Sequence, residues 1–228
     1  MKNKYFYFIP YFLLANILFI ASNIPLLLRV IKTPPAYIQF YDHMSIMSSD
    51  IFDYNQYLSA ITQGKNGYFL YEDAFTSEKT KPGLFFTFYI LLGQISRPFN
   101  LWPPIIYNLA RILAVELFFI AVFILTASAV GMKHAFWASS VSIFATIAPY
   151  SYFSGIGSHS PYFLWYEFLV PTGRIDSPPH HILGQTLLLF SIYFIFLFIR
   201  GGRKKYMFCR LLYALFYPVL FSHPVPSC

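Results

Sequence analysis

Five acidic residues, Asp50, Asp53, Glu72, Asp73 and Glu78, crowd the interval from Asp50 to Lys81, and the whole chain has only nine. A carboxylate at a membrane surface can act as a general base, taking the proton from an attacking hydroxyl. Asp53 is the first candidate for that role and Asp50 the second. The structural alternative is that both are solvated loop acids, or that one caps the helix that follows. Lys79 and Lys81 close the same interval and are of the type that neutralises a phosphate. Arg97 and Arg174 are cations of the same kind, with contact to lipid headgroups as their structural alternative.

A second polar constellation lies at Asp176 and Pro178-Pro179-His180-His181. Adjacent histidines do not share a helical face, so the pair by itself is a poor two-ligand metal site. A divalent cation would instead draw on Asp53 from one loop and Asp176 or His180 from the other. The structural alternative is an interfacial His pair at the start of a helix. Under the functional reading the two polar intervals meet over one cavity, with Asp53 within reach of Asp176 or His180.

The elements that must position these groups are apolar. The residue types AVILMFWYC make up 57% of the chain and charged residues only 11%, against about 25% charged in an ordinary soluble domain. Residues 5–28 follow a basic start and are long enough to cross a bilayer at 1.5 Å per residue. Further spans are expected at 105–130, 135–152, 182–199 and a last run ending near Ser222. The run 83–96 is too short to cross and reads as re-entrant or interfacial. Within the first loop, Tyr54, Tyr57, Leu58 and Ile61 share one face of a helix, which predicts a short amphipathic helix lying on the membrane surface. Arg111 and Glu116 fall inside the second span and are expected to face protein.

These readings define an all-α, polytopic transmembrane bundle of about five spans plus one re-entrant or interfacial helix. It is a single membrane module over residues 1–228, with a first outer loop at 29–82 and a second at 154–181. If 83–96 does not cross, the basic cluster from Arg200 to Lys205 lies in the cytoplasm, as the positive-inside rule requires. Both loops then open on the outer face of a plasma or inner membrane.

The net charge of +7 is that of basic residues flanking apolar spans and does not indicate nucleic acid. Cys209 and Cys228 form no metal or disulfide pattern. The sequence contains no phosphate-cradling glycine loop, zinc spacing or nucleophile elbow, and the missing P-loop argues against an ATP-driven pump within the chain.

One longer pattern combines the first loop with its flanking spans. An N-terminal span is followed by Asp53-Tyr54 and Tyr57, then Gly67, Glu78 and Lys81-Pro82, a short aromatic run from Leu84 to Gly93, and Arg111 in the next span. This order resembles the N-terminal part of the GT-C superfamily. These polytopic glycosyltransferases use polyprenyl-phosphate sugars, as in the protein mannosyltransferases and aminoarabinose transferases. The pattern departs from those relatives in having Tyr54 beside Asp53 in place of a second acid, and Gly83 after Lys81-Pro82 in place of a second proline.

The resemblance implies an inverting transfer of a sugar from a polyprenyl-phosphate donor to a hydroxyl of a lipid, glycan or protein acceptor. Asp53, with Asp50 second, matches the essential loop acid. Tyr57, Glu78, Lys79, Lys81, Arg97, Arg174, His180 and His181 are the expected substrate contacts, and membrane lipids are further partners. Some relatives use a divalent cation and others none. Relatives are longer, which makes this chain an expected fragment of a larger module. The alternative functions are a polysaccharide or lipid transporter of flippase type and a non-catalytic scaffold subunit.

Overall fold

The structure, a computed structural model, describes residues 5–34, 51–78, 80–144, 175 and 177–201. The fold is mostly helical, with no strand among the described residues. In chain order the elements are α1 (Tyr5–Lys32), α2 (Ile51–Lys65), α3 (Thr87–Ser96), a 3₁₀ turn (Arg97–Phe99), α4 (Pro103–Val130), α5 (Met132–Phe144) and α6 (Pro179–Gly201).

Three helices are long and apolar enough to cross a membrane, over Phe6–Lys32, Pro103–Val130 and Pro179–Leu197. They correspond to the first, second and fourth expected spans. The expected span at 135–152 begins as α5 and continues outside the described residues, where the last apolar run and nearly all of the second loop also fall. Helix α3, with 10 residues, rises only about 15 Å, roughly half the thickness of a hydrocarbon core. By itself it is too short to cross, in keeping with the shortness of the 83–96 run.

The asparagine and serine side chains within α1 bond to their own helix. Asn16 Nδ2 donates to Phe12 O at 3.0 Å, Asn23 Nδ2 to Phe19 O at 2.7 Å, and Ser22 Oγ to Phe19 O at 2.8 Å. Such back-bonding removes the cost of an unmet donor in lipid.

The chain divides into two compact units: Met1–Ser48 with Leu117–Ser177, and Ser49–Glu116 with Pro178–Cys228. In the first, α1 packs on α5, and the buried Tyr11 hydroxyl donates to Phe119 O at 3.0 Å. Phe8 and Tyr11 meet Phe123 with ring centroids 5.1 and 5.4 Å apart. Gly131, at φ 85, turns the chain between α4 and α5, and the Thr126 and Ser139 hydroxyls then bond across these two helices at 2.5 Å.

The second unit is built on α2 against α3. The two helices approach so closely that a Cβ on Gly64 would overlap the Ile90 carbonyl, and one on Gly93 would overlap that of Ile61. This backbone contact buries Tyr54, Tyr57, Ala60 and Ile61 of α2 together with Tyr89 and Ile90 of α3 and Ile106 and Tyr107 of α4. The apolar face of α2 that the 3.6-residue period predicts is therefore present, but it lies against protein. Its partners are the equally apolar α3 and the start of α4, which cover it more completely than a membrane surface would.

The connection from α2 to α3 is pinned at several points. Gly67, at φ 95, ends α2, with Tyr68 N–H donating to Gln63 O at 3.1 Å and Gly67 N–H to Gly64 O at 2.9 Å. That is the paired geometry of a Schellman cap. Tyr71 and Gly83 exchange two backbone bonds of 2.9 Å in an isolated antiparallel bridge. Phe86 then adopts φ 53 before α3, a costly conformation for an aromatic residue. Its ring is held edge-on by Tyr71 and Tyr57, with centroids 5.0 and 5.7 Å away.

Candidate functional site

Asp53 stands in the first turn of α2, exposed at the end of a helix whose later turns are fixed by packing. It is inside the helix and so is not the capping residue. The partial positive charge of a helix N-terminus favours an ionised carboxylate there. Tyr57, one turn further on, has its ring stacked on Tyr89 with centroids 4.4 Å apart and planes 17° from parallel. Tyr54, beside Asp53, meets the Tyr107 ring edge-on at 5.1 Å. The carboxylate thus projects from a helix that cannot rotate without breaking an aromatic stack.

Beneath that stack lies a polar contact that the sequence did not reveal. The Tyr89 hydroxyl is 2.6 Å from His180 Nδ1, with both side chains buried. Burial raises the Tyr89 phenol well above its ordinary pKa, with further increments from Tyr107, Tyr57 and the charge of Asp53. The phenol therefore keeps its proton, and its hydroxyl and Nδ1 of His180 share a hydrogen bond whose donor follows the histidine tautomer. The Tyr57 ring also meets the His180 ring edge-on, with centroids 5.3 Å apart. His181 is half-buried, its ring centroid 4.2 Å from that of His180.

Tyr89 feels the charge of Asp53 and bonds His180. Tyr57, expected as a substrate contact, is buried in the same stack and supports α2 from within. Glu78 and Lys81 are exposed on the connection before α3, and Arg97 is exposed in the 3₁₀ turn. The Arg97 guanidinium lies over Gly67, Nη1 being 3.0 Å from where a Cβ would stand. Asp50, Lys79, Arg174 and Asp176 lie outside the described residues. Among the described residues no group of three or more His, Cys, Asp and Glu is placed to hold a metal ion.

An open cleft of about 670 Å³ lies at the other end of α2, lined by Gln63, Tyr68, Phe69, Glu72, Asp73 and Pro82 among others. Gln63 stabilises its wall, donating from Nε2 to Glu72 O at 2.8 Å and accepting from Glu72 N–H at 2.9 Å. Ten residues separate Asp53 from Gln63, about 15 Å along the helix axis, so this cleft does not present Asp53. Further along, Lys65 Nζ donates to Leu101 O at 2.9 Å and ties the end of α2 to the residues before α4.

Arg111 is buried in α4 and Glu116 half-buried, in accord with side chains facing protein. Tyr89, Tyr107 and Gln63 are the positioning residues that sequence reasoning missed. The paired Gly64 and Gly93 were the one available signal, since small residues permit helices to approach. Searches against protein-family models, curated proteins and solved structures found no match.

Proposed function

We propose that this chain is part of a membrane glycosyltransferase that moves a sugar from a polyprenyl-phosphate donor to an acceptor hydroxyl, with Asp53 as the essential acid. The observation that carries this reading is the placement of Asp53. Its carboxylate is exposed in the first turn of a short helix, one turn before Tyr57 and on the same side, where the following turns are locked into an aromatic core, in the segment between the membrane-length helices α1 and α4. A base must be held in a fixed direction to take a proton from an incoming hydroxyl, and the stack of Tyr57 on Tyr89 supplies that rigidity.

In this mechanism the Asp53 carboxylate accepts the acceptor's proton as its oxygen attacks the anomeric carbon. The bond from that carbon to the polyprenyl phosphate breaks on the opposite side, which inverts the configuration. Lys81 is the described cation of this loop available to stabilise the departing phosphate, whereas Arg97 lies over Gly67 at the far end of α2. Tyr89 and His180 act as positioning residues and do not touch substrate. The loop bearing Asp53 is assigned to the outer face of a plasma or inner membrane.

The transporter reading has one observation in its favour, the buried Arg111 within a membrane-length helix, because ionisable groups there often mark a pathway. Among the described residues, α4 is the one helix with charges away from its ends. A single helix of that kind is weaker support than a rigidly presented carboxylate.

The test is sugar transfer from labelled polyprenyl-phosphate mannose and polyprenyl-phosphate aminoarabinose in membranes expressing the chain in its natural full-length context. Asp53→Asn keeps the shape of the side chain and removes its basicity. Transfer is expected to fall by two orders of magnitude or more, in line with the roughly 10²–10⁴-fold contribution of a general base, with protein level unchanged. Undiminished transfer by the variant overturns the assignment of Asp53.

A further inference from the structure

With the predicted face of α2 buried in protein, the lipid contact of this lobe must come from elsewhere. Helix α3 buries Tyr89, Ile90, Gly93 and Ser96 on one side. On the other side Leu91 and Ile95 are 43% and 59% exposed, one turn apart. The apolar exposure continues through Phe99, at 72%, to Trp102, at 49%, immediately before α4 begins. It then runs on into α4 itself, where Ile105, Leu109 and Leu113 are about as open as the α3 residues.

From these observations we infer that α3 and the 3₁₀ turn form a half-membrane anchor. Leu91, Ile95 and Phe99 rest against the acyl chains of phospholipid, Trp102 stands at headgroup level, and Arg97 contacts lipid phosphate.

Three features select a bilayer as the occupant. First, the apolar residues are continuous in sequence with the exposed side of a membrane-length helix, so the α3–α4 junction must lie near one membrane surface. Second, the residue types match the depth. Aliphatic side chains come from a helix too short to cross, and a tryptophan stands at the boundary where amphipathic rings concentrate. Third, the segment from Leu91 to Trp102 contains no carboxylate and has Arg97 as its one ionisable residue, a balance complementary to anionic headgroups. Lys65 and Gly67 fix the junction from the α2 side, so the anchor is joined rigidly to the helix that carries Asp53. Its consequence is a set depth for the whole α2–α3 lobe at the interface.

This inference rests on the membrane reading of α4 but not on the glycosyltransferase proposal. It is tested with the full chain reconstituted in vesicles of phosphatidylcholine and phosphatidylglycerol, using Trp137→Phe/Trp165→Phe as background and Trp102→Phe to silence the third indole. Single reporters are then introduced as Ile95→Trp and Leu113→Trp, both at exposed positions. The expected result is strong quenching of both reporters by brominated lipids and weak quenching by aqueous iodide, with Ile95→Trp responding most to bromine near the top of the acyl chain. Iodide quenching of Ile95→Trp with lipid quenching of Leu113→Trp overturns the anchor alone. Iodide quenching of both overturns the membrane reading as well. Protection of Ile95→Trp from both quenchers means that protein covers this face, and also overturns the anchor. Leu91→Cys carrying a nitroxide provides the same readout through its accessibility to oxygen and to a nickel chelate, should the tryptophan variant fail to fold.

Discussion

The Tyr89 hydroxyl and Nδ1 of His180 are hydrogen-bonded across 2.6 Å, joining α3 to the first turn of α6 through residues 91 positions apart. Both partners are buried, so neither can replace the other with water. Tyr89→Phe removes the hydroxyl while keeping the ring stack, and deprives Nδ1 of His180 of this partner. The expected loss is about 1–3 kcal/mol of stability, read by chemical unfolding in detergent. Nitrogen NMR of labelled histidine should find the Nδ1 resonance of His180 shifted in the variant at neutral pH. An unshifted Nδ1 would remove this hydrogen bond from the account.

Gly64 and Gly93 set the distance between α2 and α3. An added methyl on either meets a backbone carbonyl, which cannot move aside as a side-chain tip can. Gly64→Ala and Gly93→Ala are each expected to lower stability by about 2–3 kcal/mol, the upper part of the range for overpacking. The two changes act on one crossing, so the double variant should lose less than the sum of the singles. Additive losses would mean that the two contacts relax independently.

The pH dependence of this lobe is expected at the alkaline end. The Tyr71 hydroxyl is pushed up to about 12, first by burial and then by the nearby charge of Asp73. A group whose folded pKa exceeds its unfolded value of 10.0 binds its proton more tightly when folded. Its contribution to stability is complete below the unfolded value and is lost as pH rises through the folded one. Unfolding scans should therefore show stability falling between pH 10.0 and about 12, and Tyr71→Phe should flatten that fall. An unchanged slope in the variant would remove Tyr71 from the account.

Gln63 serves the connection after α2 as a template, since its amide meets both the N–H and the C=O of Glu72. Gln63→Ala deletes both bonds at an exposed position, where each is worth about 0.5–1.5 kcal/mol. Hydrogen exchange at the Glu72 amide should accelerate about tenfold or more, with little change in the α2 amides. Equal acceleration along α2 would show that the substitution weakens the helix itself.

The parts of this protein legible in its sequence are those decided by local composition and period. The membrane-length helices α1, α4 and α6 follow from apolar runs, because each must satisfy its own backbone bonds in lipid. The shortness of α3 is equally visible, since ten helical residues cannot reach across a bilayer. The single apolar face of α2 follows from the spacing of Tyr54, Tyr57, Leu58 and Ile61, and the polarity of its setting singles out Asp53. What covers that face was not legible. A 3.6-residue period states that a side is apolar, and lipid and protein satisfy the requirement equally. Only the tertiary structure assigns it to α3, through the close approach that Gly64 and Gly93 permit. The same holds for the stack of Tyr57, Tyr89 and Tyr107 over His180, whose members are scattered along more than half the chain. No local pattern links them, because their association depends on how helices pack, and packing is a relation between surfaces rather than a property of any one segment.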